Sequence, residues 1–313
     1  MTEQLYQRDC YGKALVELGK ADENIVVLDA DLSSSTRTGL FAREFPERFF
    51  NFGVAEQNMM AAAAGLASCG KTVFVSTFAI FASGRAWDQV RNSICYSNLN
   101  VKIVATHAGI SVGPDGASHQ ALEDIALMRV IPNMNIVVPC DGPQTTEAVN
   151  CVARVKGPFY IRLGRAKVPT LENKGKFELG KAQVLAEGSD VTIVACGIMV
   201  AEALVAVANL ARQGVKARLI NIHSLRPLDT QIILKAAQET RGIIVCEEHN
   251  IIGGLASSID EIVAENNPTR VMRVGVRNRF GQSGEPAQLL KEYNLTSADI
   301  ERAALTCFAK CNK

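Results

Sequence analysis

Short apolar runs recur along the first half of this 313-residue chain, separated by stretches of helical periodicity. Ile25–Asp29, Thr72–Ser76, Val101–Ala105, Asn135–Val138 and Phe159–Arg162 read as strands. Leu5–Lys20, Val54–Ser68, Ser83–Tyr96, Ala121–Val130 and Gly142–Lys156 read as helices between them. Strands that are apolar throughout, rather than alternating, belong to a parallel sheet covered on both faces. Ligands on such sheets bind beyond the carboxyl ends of the strands. The polar tails Asp29-Ala30-Asp31, Ser76-Thr77 and Thr106-His107 would converge there.

The pattern lapses from about Arg165 to Lys181, where Pro169, Gly175 and several charges break the periodicity; this reads as a linker. A second unit follows. Its strands are Val191–Ala195, Ala217–Ile220, Gly242–Cys246 and Arg270–Val274, and its helices Met199–Gln213, Asp229–Glu239, Gly253–Glu265 and Ala298–Ala309, the last with Ser297 as N-cap. The expected fold class is therefore α/β. Two domains are expected, residues 1–165 and 182–313, joined by 166–181, each a mostly parallel sheet covered by helices.

Charge is balanced, with 33 Lys plus Arg against 32 Asp plus Glu, so no bulk field draws the chain to nucleic acid or an acidic membrane. The polar, charged start is no signal peptide, and the alanine run from Ala61 is too short and weakly apolar to span a bilayer. Nine cysteines at irregular spacing, with no CxxC or Cys/His cluster, point to reduced thiols in the cytoplasm and to no metal site.

Between Arg48 and Lys71 the only formal charge is Glu56, at the head of the alanine-rich helix. A buried carboxyl there is costly to ionise, so its pKa should rise, and a protonated carboxyl can donate a hydrogen bond to a base. The plainer alternative is a Glu that caps the helix start. The densest chemistry is His107–Gln120, where His107, Asp115 and His119 lie on a loop with three glycines, which allow tight turns and the close approach of a ligand. Groups of this kind on a loop held by a rigid sheet suit proton transfer and recognition of sugar hydroxyls. Phe78 and Phe81 share a face if helical and could stack on a flat ring, although core packing explains most such pairs. Arg162 and Arg165 close the last strand of the first half, where a guanidinium could clamp a phosphate or carboxylate. No glycine-rich phosphate cradle is present, neither GxxxxGK[ST] nor Gly-Asp-Gly followed by Asn.

Asn51-Phe52-Gly53-Val54-Ala55-Glu56-Gln57-Asn58-Met59 resembles the Glu motif of the transketolase family of thiamine diphosphate enzymes. Ser76-Thr77-Phe78 with Phe81 resembles the family's cofactor-stacking segment. Thr106-His107 through Asp115-Gly116-Ala117-Ser118-His119-Gln120 resembles its substrate loop, and Glu247-Glu248-His249 with Gly253-Gly254-Leu255 its C-terminal domain. The resemblance implies a role for each matched residue. Glu56 protonates or shares a proton with N1′ of the aminopyrimidine. Phe81 stacks on that ring with Phe78 beside it, and Asp31 sits in the cofactor pocket. His107 contacts the sugar near the reacting carbon, Asp115 its hydroxyls, His119 the sugar or its phosphate, and Arg165 the phosphate.

Full-length members begin with a further domain that grips the diphosphate and a divalent metal such as Mg2+. The resemblance therefore implies the C-terminal subunit of a split transketolase, inactive alone. It would share its cofactor with an N-terminal partner subunit in an α2β2 assembly and act on sugar phosphates of the pentose phosphate type. Three alternatives stand beside it. Deoxyxylulose-phosphate synthase usually has an Asp-Arg pair where this chain has His107-Ala108. The β subunits of 2-oxo-acid dehydrogenases lack the sugar loop. A non-catalytic regulatory chain would have no use for Glu56, both histidines and Asp115. Glu248, His249 and the run Arg277–Glu285 are expected in packing or interface roles rather than catalysis.

Overall fold

The computed structural model describes residues 3–172 and 175–310. The strands in chain order are β1 (Gln4–Tyr6), β2 (Ile25–Asp29), β3 (Phe49–Asn51), β4 (Thr72–Phe78), β5 (Val101–Thr106), β6 (Asn135–Val137), β7 (Phe159–Arg162), β8 (Lys167–Pro169), β9 (Gln183–Ala186), β10 (Val191–Ala195), β11 (Ala217–Asn221), β12 (Ser224–Arg226), β13 (Ile243–Asn250) and β14 (Val271–Val276). The α-helices are α1 (Gln7–Ala21), α2 (Ser33–Thr36), α3 (Gly39–Glu44), α4 (Glu56–Ser68), α5 (Asp124–Arg129), α6 (Gly142–Arg154), α7 (Met199–Arg212), α8 (Thr230–Glu239), α9 (Leu255–Asn266), α10 (Pro286–Glu292) and α11 (Ser297–Lys310).

The first sheet runs β12-β6-β7-β5-β4-β2-β3 and is parallel except at β12. The second runs β14-β13-β10-β11-β9 and is parallel except at β9. The expected α/β class with mostly parallel, helix-covered sheets is what the chain adopts. Every residue of β2, β5, β7 and β10 is buried, as strands covered on both faces must be. Helix α6 starts where Asp141 accepts a bond from the Gln144 amide at 2.8 Å.

Four local expectations are corrected. The segment expected as one helix over 83–96 holds two π-helical turns, Phe81–Arg85 and Gln89–Cys95. The extra residue per turn re-aims the side chains of this segment. The helix expected from Ala121 begins at Asp124, because Ala121 and Leu122 serve as backbone acceptors for Gly109 and Asn250. Ser297 is the first helical residue of α11 rather than its cap, and its amide bonds Glu202. The expected linker is partly structured, since β8 pairs antiparallel with β1, a contact across more than 160 residues that no local pattern encodes.

The halves share one core. Met128, Ile131 and Val138 of the first half belong to the same apolar cluster as Val194, Ile220 and Leu255 of the second. Strand β12, from the second half, completes the edge of the first sheet against β6.

Candidate active site

Glu56 opens α4 and is 4% exposed. Among the described residues no side chain caps this helix; the Glu56 carboxylate instead accepts a bond from Arg85 Nη1 at 3.1 Å. The carboxyl is therefore not lone, which corrects the expectation. Its partner comes from the first π-helical turn, and Gln57 Nε2 donates to the Arg85 carbonyl at 3.0 Å.

Phe78 is the last residue of β4 and Phe81 lies in the π-helical turn, so they do not share a helical face. Their rings are still nearly parallel, 17° apart with centres at 5.9 Å. His107 stacks on Phe78 at 3.9 Å, and the edge of His119 meets Phe81 at 5.3 Å. The four rings form one aromatic cluster at the carboxyl ends of β4 and β5, where the strand pattern placed a site. The spaced sequence positions 78, 81, 107 and 119 are thus brought together.

His107 is 2% exposed, and its backbone takes φ of 59°, a conformation rare outside glycine and concentrated at functional sites. Its Nδ1 lies 2.9 Å from Thr106 Oγ1. Burial, with Arg8 and Arg165 nearby, lowers its pKa to about 3, so the imidazole is neutral at ordinary pH. His119 is half-buried, with Nδ1 3.0 Å from Ser118 Oγ. Asp115 is exposed at the rim of the loop. Asp31 is exposed beyond β2, also left-handed at φ 64°, and is held by Asn51 Nδ2 at 3.1 Å.

The two candidate arginines separate. Arg162 is buried and grips Asp124, with Nε–Oδ2 at 2.8 Å and Nη2–Oδ1 at 3.2 Å. It clamps a carboxylate as expected, but one of this chain's own, so it is not available to a ligand. Arg165 is half-buried and donates to the Val112 carbonyl at 3.0 Å, on the loop that carries the histidines. Arg8 joins it: both guanidinium groups act on His107, and Arg8 Nε is buried without a partner among the described residues. No sequence signal marks Arg8. Arg85 was legible in principle, four residues after Phe81, whose ring it covers at 4.1 Å.

The three loop glycines do allow close approach, but to the second half of the chain. A Cβ on Gly109 would meet the Glu248 carboxyl at 2.2 Å, and one on Gly116 would meet Ser283 Oγ at 2.6 Å. Beside the cluster a cavity of about 340 Å3 opens between the halves, lined by Ile80, Ser118, Gln120, Glu123, Asn250 and Arg279. A larger one, about 610 Å3, lies between β14 and α11 and touches none of the expected site residues. No group of three or more His, Cys, Asp or Glu side chains that could hold a metal occurs among the described residues. None of the helices described is long and apolar enough to cross a membrane.

The sequence pattern of the transketolase pyrimidine-binding domain matches residues 3–170, and that of the transketolase C-terminal domain residues 180–300. The chain belongs to the transketolase family. A relative from Methanocaldococcus jannaschii, provisionally named a transketolase C-terminal section, is 49% identical over 299 residues, covering 94% of each chain. A 6-deoxy-6-sulfo-D-fructose transketolase subunit from a Clostridium species is 42% identical, covering 96% of this chain and 94% of that one. A solved structure described as a split gene transketolase, inactive beta4 tetramer, superposes with a TM-score of 0.89 at 50% identity, over 98% of this transketolase-family chain and 99% of that chain. Within the family frame, the aromatic cluster lies in the half that matches the pyrimidine-binding domain, and Glu248 in the half that matches the C-terminal domain.

Proposed function

We propose that this chain is the C-terminal subunit of a two-chain, thiamine diphosphate-dependent transketolase that moves a two-carbon ketol unit from a ketose donor to an aldose acceptor. The observation that carries the reading is the buried Glu56 carboxyl, joined through Arg85 to the near-parallel Phe78–Phe81 pair, with His107 and His119 closing the same aromatic cluster. A flat heteroaromatic ring with one basic nitrogen fits that combination: a ring face on Phe81 and a carboxyl at its edge.

When bound, thiamine diphosphate supplies a nucleophilic carbon and an electron sink for cleaving a carbon–carbon bond. This chain contributes the rest of the pyrimidine side of the site. Glu56 would share a proton with N1′, Phe81 would stack on the ring with Phe78 beside it, and Asp31 would border the pocket. His107, Asp115 and His119 orient the sugar hydroxyls, and the neutral His107 does so without a charge of its own. Arg165 and Arg8 bind the anionic end of the donor, which supports sugar phosphates as substrates; a relative whose name specifies a sulfonated sugar makes the anion, rather than phosphate in particular, the shared feature.

The diphosphate and its Mg2+ or similar divalent metal are held by an N-terminal partner subunit, in an α2β2 assembly working in the cytoplasm. The division into 1–165, 166–181 and 182–313 belongs to the same proposal. The relative that forms an inactive tetramer of its own kind supports a chain that needs a partner. The test mixes this chain with its N-terminal partner and a panel of ketose donors. Transfer by the mixture and none by either chain alone is the expected result. Full turnover by this chain alone refutes the split.

A further inference from the structure

The loop carrying His107, Asp115 and His119 is tied to its own half at its start, where the Ala108 amide donates to Leu163 O at 3.1 Å, and is backed further along by the second half of the chain. The Ser111 amide donates to Glu248 Oε1 at 2.6 Å. Glu248 lies on β13 and is 4% exposed. Gly109, at φ 83°, brings the loop backbone against that same carboxylate, where no side chain could stand. Gln120 Nε2 ties the two ends of the contact, donating to Ile110 O at 3.0 Å and to Gln282 O at 2.9 Å. Arg162, already locked to Asp124, donates to the Glu248 carbonyl at 3.0 Å and holds that strand end in place.

We propose that Glu248 is a positioning residue for the transfer reaction: its carboxylate anchors the backbone of the substrate loop and thereby sets His107 and His119 against Phe78 and Phe81. The inference rests on the reading of that loop given above. A glycine-rich loop has high conformational freedom and few side chains to fix it. Burial raises the pKa of Glu248 against the opposing pull of Arg162 and the Ser111 amide, and in either protonation state a carboxyl oxygen accepts from that amide, a bond that a dry setting strengthens and that acts on the backbone directly. An ionised carboxylate is also costly to bury, and on β13 an apolar residue would pack at lower cost. The Glu248 carboxylate is spent on the loop of the other half, which is where a positioning role would place it.

The test uses the full chain and the Glu248→Ala and Glu248→Gln variants. Amide hydrogen exchange is followed in peptides covering 108–121 and, as the control, in β10 and β13. In E248A, exchange in 108–121 should rise by about tenfold or more, the effect of leaving one buried amide without its acceptor, while β10 and β13 stay protected. E248Q, whose amide oxygen still accepts from Ser111, should stay close to the parent. In the assembled enzyme, E248A should raise the KM for the ketose donor by up to about 100-fold, with cofactor affinity unchanged and E248Q restoring it. Should E248A fail to fold, Glu248→Asp withdraws the carboxyl from the Ser111 amide by one methylene and reads the same quantities. Unchanged exchange in 108–121, or an equal rise across the second sheet, overturns the anchor. Absence of any transferase activity in the parent assembly overturns the function proposed above, and the exchange experiment then still decides the anchor.

Discussion

Arg85 and Glu56 meet at 3.1 Å while the Arg85 guanidinium covers the ring of Phe81, its carbon 4.1 Å from the ring centre. A planar cation that stacks on Phe81 and bonds Glu56 occupies the two contacts that the proposed cofactor pyrimidine would use. The Arg85 side chain is 52% exposed, so it can swing into solvent. An ion pair with a well-solvated partner is worth about 0–1 kcal/mol. Arg85→Ala should therefore tighten thiamine diphosphate binding to the assembled enzyme by up to about fivefold, measured by calorimetric titration. Weaker binding would instead make Arg85 part of the cofactor site.

Glu56→Ala should lower transfer activity by about 10²- to 10⁴-fold, the range for a group that moves a proton in the rate-determining chemistry. The far-ultraviolet spectrum should not change, because among the described residues the Glu56 side chain bonds only an exposed arginine and makes no cap. A complex that keeps its activity with E56A would favour a regulatory chain.

Arg162→Met should destabilise the chain by about 3–5 kcal/mol, since it leaves Asp124 buried and charged with only Tyr160 Oη, at 2.7 Å, as a remaining side-chain donor. Urea unfolding measures this directly. A loss well under 1 kcal/mol would show that Asp124 finds water or a proton.

His223 links β11 to β12, is fully buried, and has neither ring nitrogen bonded among the described residues. Burial lowers its pKa to about 4. The unfolded imidazole takes a proton near pH 6.5, so between that pH and about 4 the unfolded chain binds more protons than the folded one. Stability from this group is complete above pH 6.5 and is lost as the pH falls towards 4. His223→Leu should therefore match the parent near pH 8 and exceed it by about 2–3 kcal/mol at pH 4. Melting curves of the two across that range give the difference, and parallel curves would dismiss the effect.

The strands were the most legible part of the fold. Ile25–Asp29, Phe159–Arg162 and Val191–Ala195 match the structure end to end because a fully buried strand needs an unbroken apolar run. The pairing of β1 with β8 was hidden, since two three-residue edges carry no periodicity of their own. The π-helical turns were hidden too, because their hydrophobic spacing resembles that of an α-helix over one or two turns. In the site, Glu56, His107 and the phenylalanines stood out by isolation or clustering in the sequence. Arg8 did not, and the parts played by Arg85 and Glu248 were hidden although Glu248 was marked as a packing or interface residue, because each depends on a partner 29 or more positions away, such as Glu56 for Arg85 and Ser111 for Glu248. The fate of Arg162 turned on Asp124, 38 positions earlier, which neutralises it.

Strand β12 leaves the second half to finish the sheet of the first, with Ser224 opposite Val137 and Arg226 opposite Ile136. A coding boundary drawn anywhere in 166–181 would deprive one fragment of its outermost strand and strip the other of the neighbour that strand requires. The two halves are thus a single inheritable unit: a fission that divides a transketolase-family protein into separate genes has to spare the join between them.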